Sequence, residues 1–328
     1  QIRKQKRKAF NHLENLPGGQ TQVDWGHFGQ ISCGQYKRKL YLFCMVLSYS
    51  RYFYMEFTVS MDRNTFLACH INGFKFFGGV TKTILYDNLK SVVCGRYGKE
   101  IAYNVRFLDF CSWYGFKPVV CNIRAPQEKG IVENVIKYAR NNFFPRKKYS
   151  DFNHIRAEGG SWMRNVANHR LHSTTRKIPG QAFEREERQY LLKLPPKAYD
   201  YPEAQPLNAR QDCLFQFDTN KYSIPAGLIN ETLVFKPYQN EIHIFLKNEL
   251  VACHKRCYDK YQVIKNPDHY ASLLRKKKKA ANSYYLQIFE NLCPEAKDYS
   301  KGLLQKQSNI HFQVKKILDL AAIFGKTQ

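Results

Sequence analysis

The chain has 328 residues, with 52 lysines and arginines against 27 aspartates and glutamates, a net charge of +25. Hydrophobic residues make up 44% of it, enough to bury cores of its own, which excludes a wholly disordered basic tail. The apolar run Leu40–Leu47 ends well short of the roughly 18 residues of a membrane span, and the charge calls for a polyanionic partner, nucleic acid first.

The length predicts two or three domains at about 100–200 residues each. Residues 1–20 read as a basic arm: Arg3, Lys4, Lys6, Arg7 and Lys8 lead to a turn at Pro17-Gly18-Gly19. The arm starts at Gln1 and feeds no signal-type apolar stretch, so a cytoplasmic chain lacking an upstream region is expected. Thr21–Trp25 is a short strand. Leu40–Tyr49 and Tyr52–Val59 are longer strands, joined through Arg51 as an antiparallel hairpin. Asn64–Phe77 has helical spacing and stops at Gly78-Gly79. Then come a strand over Lys82–Asp87, a helix over 101–114, a strand over Phe116–Cys121 and a helix over Gln127–Phe144. Strands alternating with helices after an opening hairpin give an α/β fold, a mixed sheet flanked by helices over 21–145. Residues 146–206 are helical around 151–170 and 179–193 and end in a proline-spaced linker. Residues 207–265 read as short strands between polar turns, a small β-barrel. Residues 266–328 form a basic, helical tail containing Arg275–Lys279, either a phosphate-binding loop or a solvated run, and an apolar helix around 310–324 that needs a partner. The ten cysteines are scattered, several in apolar segments, and read as reduced. Cys253-His254-Lys-Arg-Cys257 lacks the second ligand pair a zinc site needs.

Residues 21–143 hold eight carboxylates among sixteen lysines and arginines. Asp24 lies inside a strand, where carboxylates are depleted. Asp87 ends a strand. Glu133 lies on the last helix of the domain, in a row with Lys129, Lys137 and Arg140 at spacings of four, four and three. That row is either a set of ordinary i,i+4 ion pairs or a basic track for phosphates with one acid in it. If the strands of Asp24 and Asp87 are neighbours and the helix packs beside them, three carboxylates converge, and only a shared cation makes that favourable. Hard oxygen donors suit Mg²⁺ or Mn²⁺, and two such ions can clamp a phosphodiester.

Gln22-Val-Asp24-Trp-Gly26, Tyr86-Asp87-Asn88-Leu-Lys90 and Lys129-Gly-Ile-Val-Glu133-Asn134 resemble the catalytic segments of DDE-type transposases with a retroviral-integrase-like core, in particular the IstA type of bacterial insertion sequences. Asn168-His-Arg-Leu-His172 and Tyr222-Ser-Ile-Pro225 are similar to later segments of the same family. The resemblance implies an RNase H-like core, an SH3-like barrel, and metal ligation by Asp24, Asp87 and Glu133 with two Mg²⁺ or Mn²⁺ ions. It further implies duplex DNA as substrate, a AAA+ ATPase partner of the IstB type, multimers, a bacterial cytoplasm and work at the nucleoid. Lys90, Lys129, Lys137 and Arg140 are the expected phosphate contacts. The competing expectation is a non-catalytic basic nucleic-acid-binding protein on the same fold.

Overall fold

The computed structural model describes residues 16–87, 92–97, 100–121, 129–145, 148–305 and 309–324. Lys90 and residues 1–15 of the basic arm lie outside them. The chain divides into two compact units: residues 1–205 with 235–243 and 253–261, and residues 206–234 with 244–252 and 262–328.

The first unit is built on a five-stranded mixed sheet. Its elements run β1 (Gln20–Cys33), β2 (Tyr36–Leu47), β3 (Phe53–Thr58), α1 (Arg63–Phe77), β4 (Thr83–Tyr86), β5 (Val93–Tyr97), β6 (Glu100–Tyr103), α2 (Val105–Tyr114), β7 (Lys117–Val120), α3 (Gly130–Asn142) and α4 (Phe152–Asn165). The spatial order is β3-β2-β1-β4-β7. β1–β2 and β2–β3 pair antiparallel, whereas β1–β4 and β4–β7 pair parallel. Both faces are covered, which is why β2 reads as one continuous apolar run. Phe43, Met45 and Leu47 meet α1 and α2 on one side; Leu42, Cys44 and Val46 meet α3 and α4 on the other. The fold is the integrase-like, RNase H-like α/β sandwich of the sequence reading.

Local chemistry fixes the element ends. Asp62 caps α1 by accepting from Thr65 N, and Gly78 closes it in the left-handed region at φ 73°. Asn104 caps α2 through Arg106 N and Phe107 N. That cap corrects the helix expected over 101–114. Its first residues instead form β6, paired antiparallel with β5 in a hairpin the sequence reading did not contain. β1 is far longer than Thr21–Trp25, because a register shift between His27 and Gln30, with Gly29 at φ 81°, lets the strand bend and continue. Arg51 takes φ 63° in the β2–β3 turn.

The segment after α4 clamps the sheet. Asn168 is fully buried, and its amide accepts from Phe53 N at 3.1 Å and donates to Phe53 O at 2.8 Å, finishing the edge strand β3. The expected helix over 179–193 is broken into α5 (Pro179–Ala182), a π turn over Phe183–Glu187 and a 3₁₀ turn over Arg188–Tyr190. The π turn points Glu187 inward, where its buried carboxylate accepts from Gly18 N and Ser50 N, each at 3.1 Å.

The later strands are β8 (Gln205–Leu207), β9 (Leu214–Phe217), β10 (Asn220–Ser223), β11 (Leu233–Pro237), β12 (Glu241–Leu246), β13 (Glu249–Lys255) and β14 (Val263–Ile264). They form a three-stranded sheet, β14-β10-β9, and a four-stranded one, β13-β12-β11-β8. These strands make up the β-rich region expected over 207–265. Residues 235–243 and 253–261 belong to the first unit, held by Gln239, whose amide meets Glu56 and Asn72 and whose N–H donates to Tyr201 Oη. The tail folds as α6 (Ala271–Glu290), α7 (Ala296–Gln305) and α8 (Ile310–Phe324) around Phe289, Ala296, Ile310 and Val314. Arg275–Lys279 is neither loop nor irregular run but lies inside α6. No helix among the described residues is long and apolar enough to cross a membrane.

Candidate active site

Alternation along β1 decides where each side chain goes. Val23 enters the core beneath α1, so Gln22, Asp24 and Gly26 face α3. On β4, Ile84 and Tyr86 enter that same α1-side core, so Asp87, just past the strand end, falls on the α3 side as well. The parallel pairing runs Gln20↔Thr83, Thr21↔Ile84, Gln22↔Leu85. Continued two residues further, this register sets Asp24, inside β1, beside Asp87, just past the carboxyl end of the parallel strand β4.

α3 brings the third acid. Val132, Val135, Ile136 and Ala139 form its buried side. Val132 N donates to Gln22 Oε1 at 3.2 Å, tying the first turn to β1. Gly26 lets the helix come close: a Cβ there would stand 2.8 Å from Ile136 Cγ2 and 2.9 Å from Phe28 Cε2. Asp24, Glu133, Lys137 and Arg140 therefore line one open cleft of about 470 Å³, with Trp25, His27 and Asn141. His27 and Asn141 were not singled out in the sequence, since neither stands in a motif; the α3–β1 packing alone brings them in. Trp25 is half-buried, edge-on to Phe43 at 5.2 Å. Arg140 donates to His27 O at 3.1 Å and lies 5.1 Å over the Phe28 ring.

Lys129 departs from the expected row. It precedes α3 as its N-cap residue, and its side chain is only 7% exposed. Its ammonium lies 2.9 Å from Asp24 Oδ2 and 3.5 Å from Asp87 Oδ2. It is thus a buried ion-pair partner of the acids, not an outward phosphate contact beside Lys137 and Arg140. Across β1 from Asp24 sits Cys44, whose thiol is pushed up by burial and further by the Asp24 charge, so it stays neutral.

The donor set fits a hard divalent ion. Asp24 and Asp87 offer oxygens to a single cation position, in which an ammonium stands in, and Glu133 faces the cleft next to it. A second cluster, Glu241, His243 and Cys253, was missed because only strand pairing joins β12 to β13. Its ligand atoms lie within 4.8 Å of one another, and His243 Nε2 meets Glu241 Oε2 at 2.7 Å.

Residues 14–126 match the integrase core domain family, and residues 194–266 match the Mu transposase C-terminal domain. A relative from insertion sequence element IS5376 of Geobacillus stearothermophilus is 33% identical over 248 residues, 75% of this chain and 61% of its own length. Over these residues the chain is similar to insertion-sequence transposases. The transposase for element IS21 of Pseudomonas aeruginosa agrees, at 28% identity over 81% of this chain and 68% of its own length. The chain spans roughly half to two-thirds of the length of the curated relatives it matches. A chain from the simian T-cell lymphotropic virus intasome in complex with PP2A regulatory subunit B56 gamma overlays 78% of this chain and 85% of its own, at TM-score 0.40 and 15% identity, too loose to build on. The integrase-core match takes in Asp24 and Asp87, and α3 with Glu133 follows just beyond it.

Proposed function

We propose that this integrase-core relative is a DNA transposase, a DDE-type polynucleotidyl transferase that hydrolyses the phosphodiester at an insertion-sequence end and joins the freed 3′-hydroxyl to target DNA. The observation that carries the reading is the parallel β1–β4 register, which sets Asp24 beside Asp87 on the face that α3 covers with Glu133. Asp24, Asp87 and Glu133 would hold the Mg²⁺ or Mn²⁺ ions, two by the family resemblance. Bound there, the ions supply Lewis-acid activation of the attacking oxygen and charge stabilisation at the leaving one.

The chain's own groups do the rest. Lys137 and Arg140, exposed along the cleft, take backbone phosphates and set the strand's path past the acids. Arg140, anchored on His27 O and Phe28, offers its charge from a fixed position. The close α3–β1 contact at Gly26 holds Glu133 at a set distance from Asp24, and positioning of this kind carries a large share of the barrier reduction. No protein nucleophile is needed. The substrates are duplex element ends and target DNA, and joining two ends calls for a homo-oligomer. An IstB-type AAA+ ATPase partner and a place at the nucleoid in the bacterial cytoplasm follow from the family resemblance.

The test is Mg²⁺-dependent joining of element-end DNA by Asp24→Asn, Asp87→Asn and Glu133→Gln. Each should lose strand transfer while keeping DNA binding; joining that survives all three sinks the reading. The ammonium between Asp24 and Asp87 favours one second reading, a non-catalytic basic DNA-binding protein whose acids serve only as ion-pair partners. In that case, Mn²⁺ titration would find no site that Asp24→Asn abolishes.

A further inference from the structure

A lysine at the start of a helix is electrostatically misplaced, because the amino-terminal end carries the positive end of the helix dipole. Burying its ammonium adds a desolvation cost. Lys129 does both, at the N-cap of α3 with a side chain 7% exposed. What offsets this is the Asp24–Asp87 pair, whose Oδ2 atoms lie 2.9 Å and 3.5 Å from its Nζ. Without that ammonium, two carboxylates would face each other across the β1–β4 pairing. The same oxygens are the ones a divalent ion needs, at about 2.0–2.1 Å for Mg²⁺. Two cations cannot share them at such spacing.

We propose that Lys129 is the resident cation of the Asp24–Asp87 pair, expelled when the divalent ion binds and received by a DNA phosphate, so that metal loading and DNA binding reinforce each other. This rests on the reading that these acids hold the metal. The path out is short. Lys129 is the N-cap of the helix whose following turns carry Glu133, Lys137 and Arg140 along the cleft, so an ammonium swung off the acids stays at the acid end of the surface where phosphates are expected. Free protein then keeps its acids paired and the α3 start seated. DNA removes the competitor by giving the ammonium another anion, and by linkage the metal favours DNA to the same degree. Lys129 acts here as a positioning and gating residue and makes no bond to the reacting atoms.

Two measurements test this on the folded protein. Mn²⁺ affinity is read by electron paramagnetic resonance for wild type, Lys129→Met and Asp24→Asn, with and without element-end DNA. Lys129→Met should bind Mn²⁺ about tenfold more tightly than wild type in the absence of DNA, and the gain that DNA gives wild type should shrink in the variant. Asp24→Asn should lose the site. If Asp24→Asn binds as wild type does, the metal reading itself fails. If Asp24→Asn loses Mn²⁺ but Lys129→Met binds equally or more weakly than wild type, the metal site stands and the Lys129 proposal falls. The second measurement needs no variant: amine-directed labelling of wild type, read by mass spectrometry. Lys129 should be protected in metal-free protein, become reactive with Mn²⁺ alone, and be protected again on adding DNA. Protection that persists with Mn²⁺ bound overturns the proposal.

Discussion

Adding one methyl group at Gly26 is expected to separate the acids without touching any of them. The new Cβ in Gly26→Ala would lie 2.8 Å from Ile136 Cγ2 and 2.9 Å from Phe28 Cε2, whereas carbon atoms pack comfortably at about 3.5–4.0 Å. The deficit is close to 1 Å, and both obstacles are packed side chains, one of them on α3 itself. The helix must retreat from β1. Overpacking of this sort costs about 1–3 kcal/mol, which at about 2–4 °C per kcal/mol lowers the melting temperature on the order of 5 °C. The functional loss should be larger than the stability loss, since a misplacement of ~1 Å can cost ~10²-fold in rate. The assay is strand transfer at a temperature where circular dichroism shows the variant folded. Ile136→Leu, which removes Cγ2 at nearly constant volume, should relieve part of the defect, so the double variant outperforms Gly26→Ala. If Gly26→Ala melts and joins as wild type does, the α3–β1 contact does not set the Asp24–Glu133 distance.

The pH response of stability should be dominated in part by His70. It is fully buried, bonded to Phe66 O at 2.7 Å and Tyr86 Oη at 3.1 Å, and burial lowers its pKa from an ordinary 6.5 to about 3. The unfolded chain therefore binds the extra proton first. Stability is whole above pH 6.5 and falls by up to about 1.4 kcal/mol per pH unit below it; denaturant melts of wild type and His70→Gln at pH 7.5 and 5 should diverge accordingly. Glu56→Ala strips acceptors from Arg156, 3.0 Å away, and from the Gln239 amide. A loss of about 3 kcal/mol and faster hydrogen exchange at residues 238–240 are expected, and unchanged exchange there would mean that this turn is held by something else. Lys137→Ala and Arg140→Ala should each weaken DNA binding and reduce the slope of log K against log salt by about one; unchanged slopes would remove them from the DNA path.

Much of this architecture is legible in the sequence because burial leaves plain traces there. The run Leu40–Leu47 announces a strand covered on both faces, and helix stops at Gly78 and Gly115 mark real left-handed caps. Asp24 stands out in its strand because nothing about strand packing asks for a carboxylate. What escapes is whatever depends on pairing across distance. The β5–β6 hairpin hides because Ile101 and Tyr103 fit a helical pattern as well as a strand until Asn104 caps α2. Glu133 and Lys129 share one spacing on paper, yet the helix begins between them, so one faces the cleft while the other turns in to the acids. Gln239 and Tyr258 look like ordinary barrel residues; only their bonds show that this part of the β-rich region is fastened into the first unit.

On the proposed reading, Asp87 and its neighbours bind the ion that the joining reaction uses. Asp87 is 54% exposed, so replacing it should leave the fold intact. Strand transfer by Asp87→Cys, compared in Mg²⁺ and in Mn²⁺, tests direct ligation, because a thiolate is a poor ligand for Mg²⁺ and a better one for Mn²⁺. Direct ligation predicts that joining vanishes in Mg²⁺ and returns in part in Mn²⁺. Joining at the wild-type rate in Mg²⁺ would contradict it.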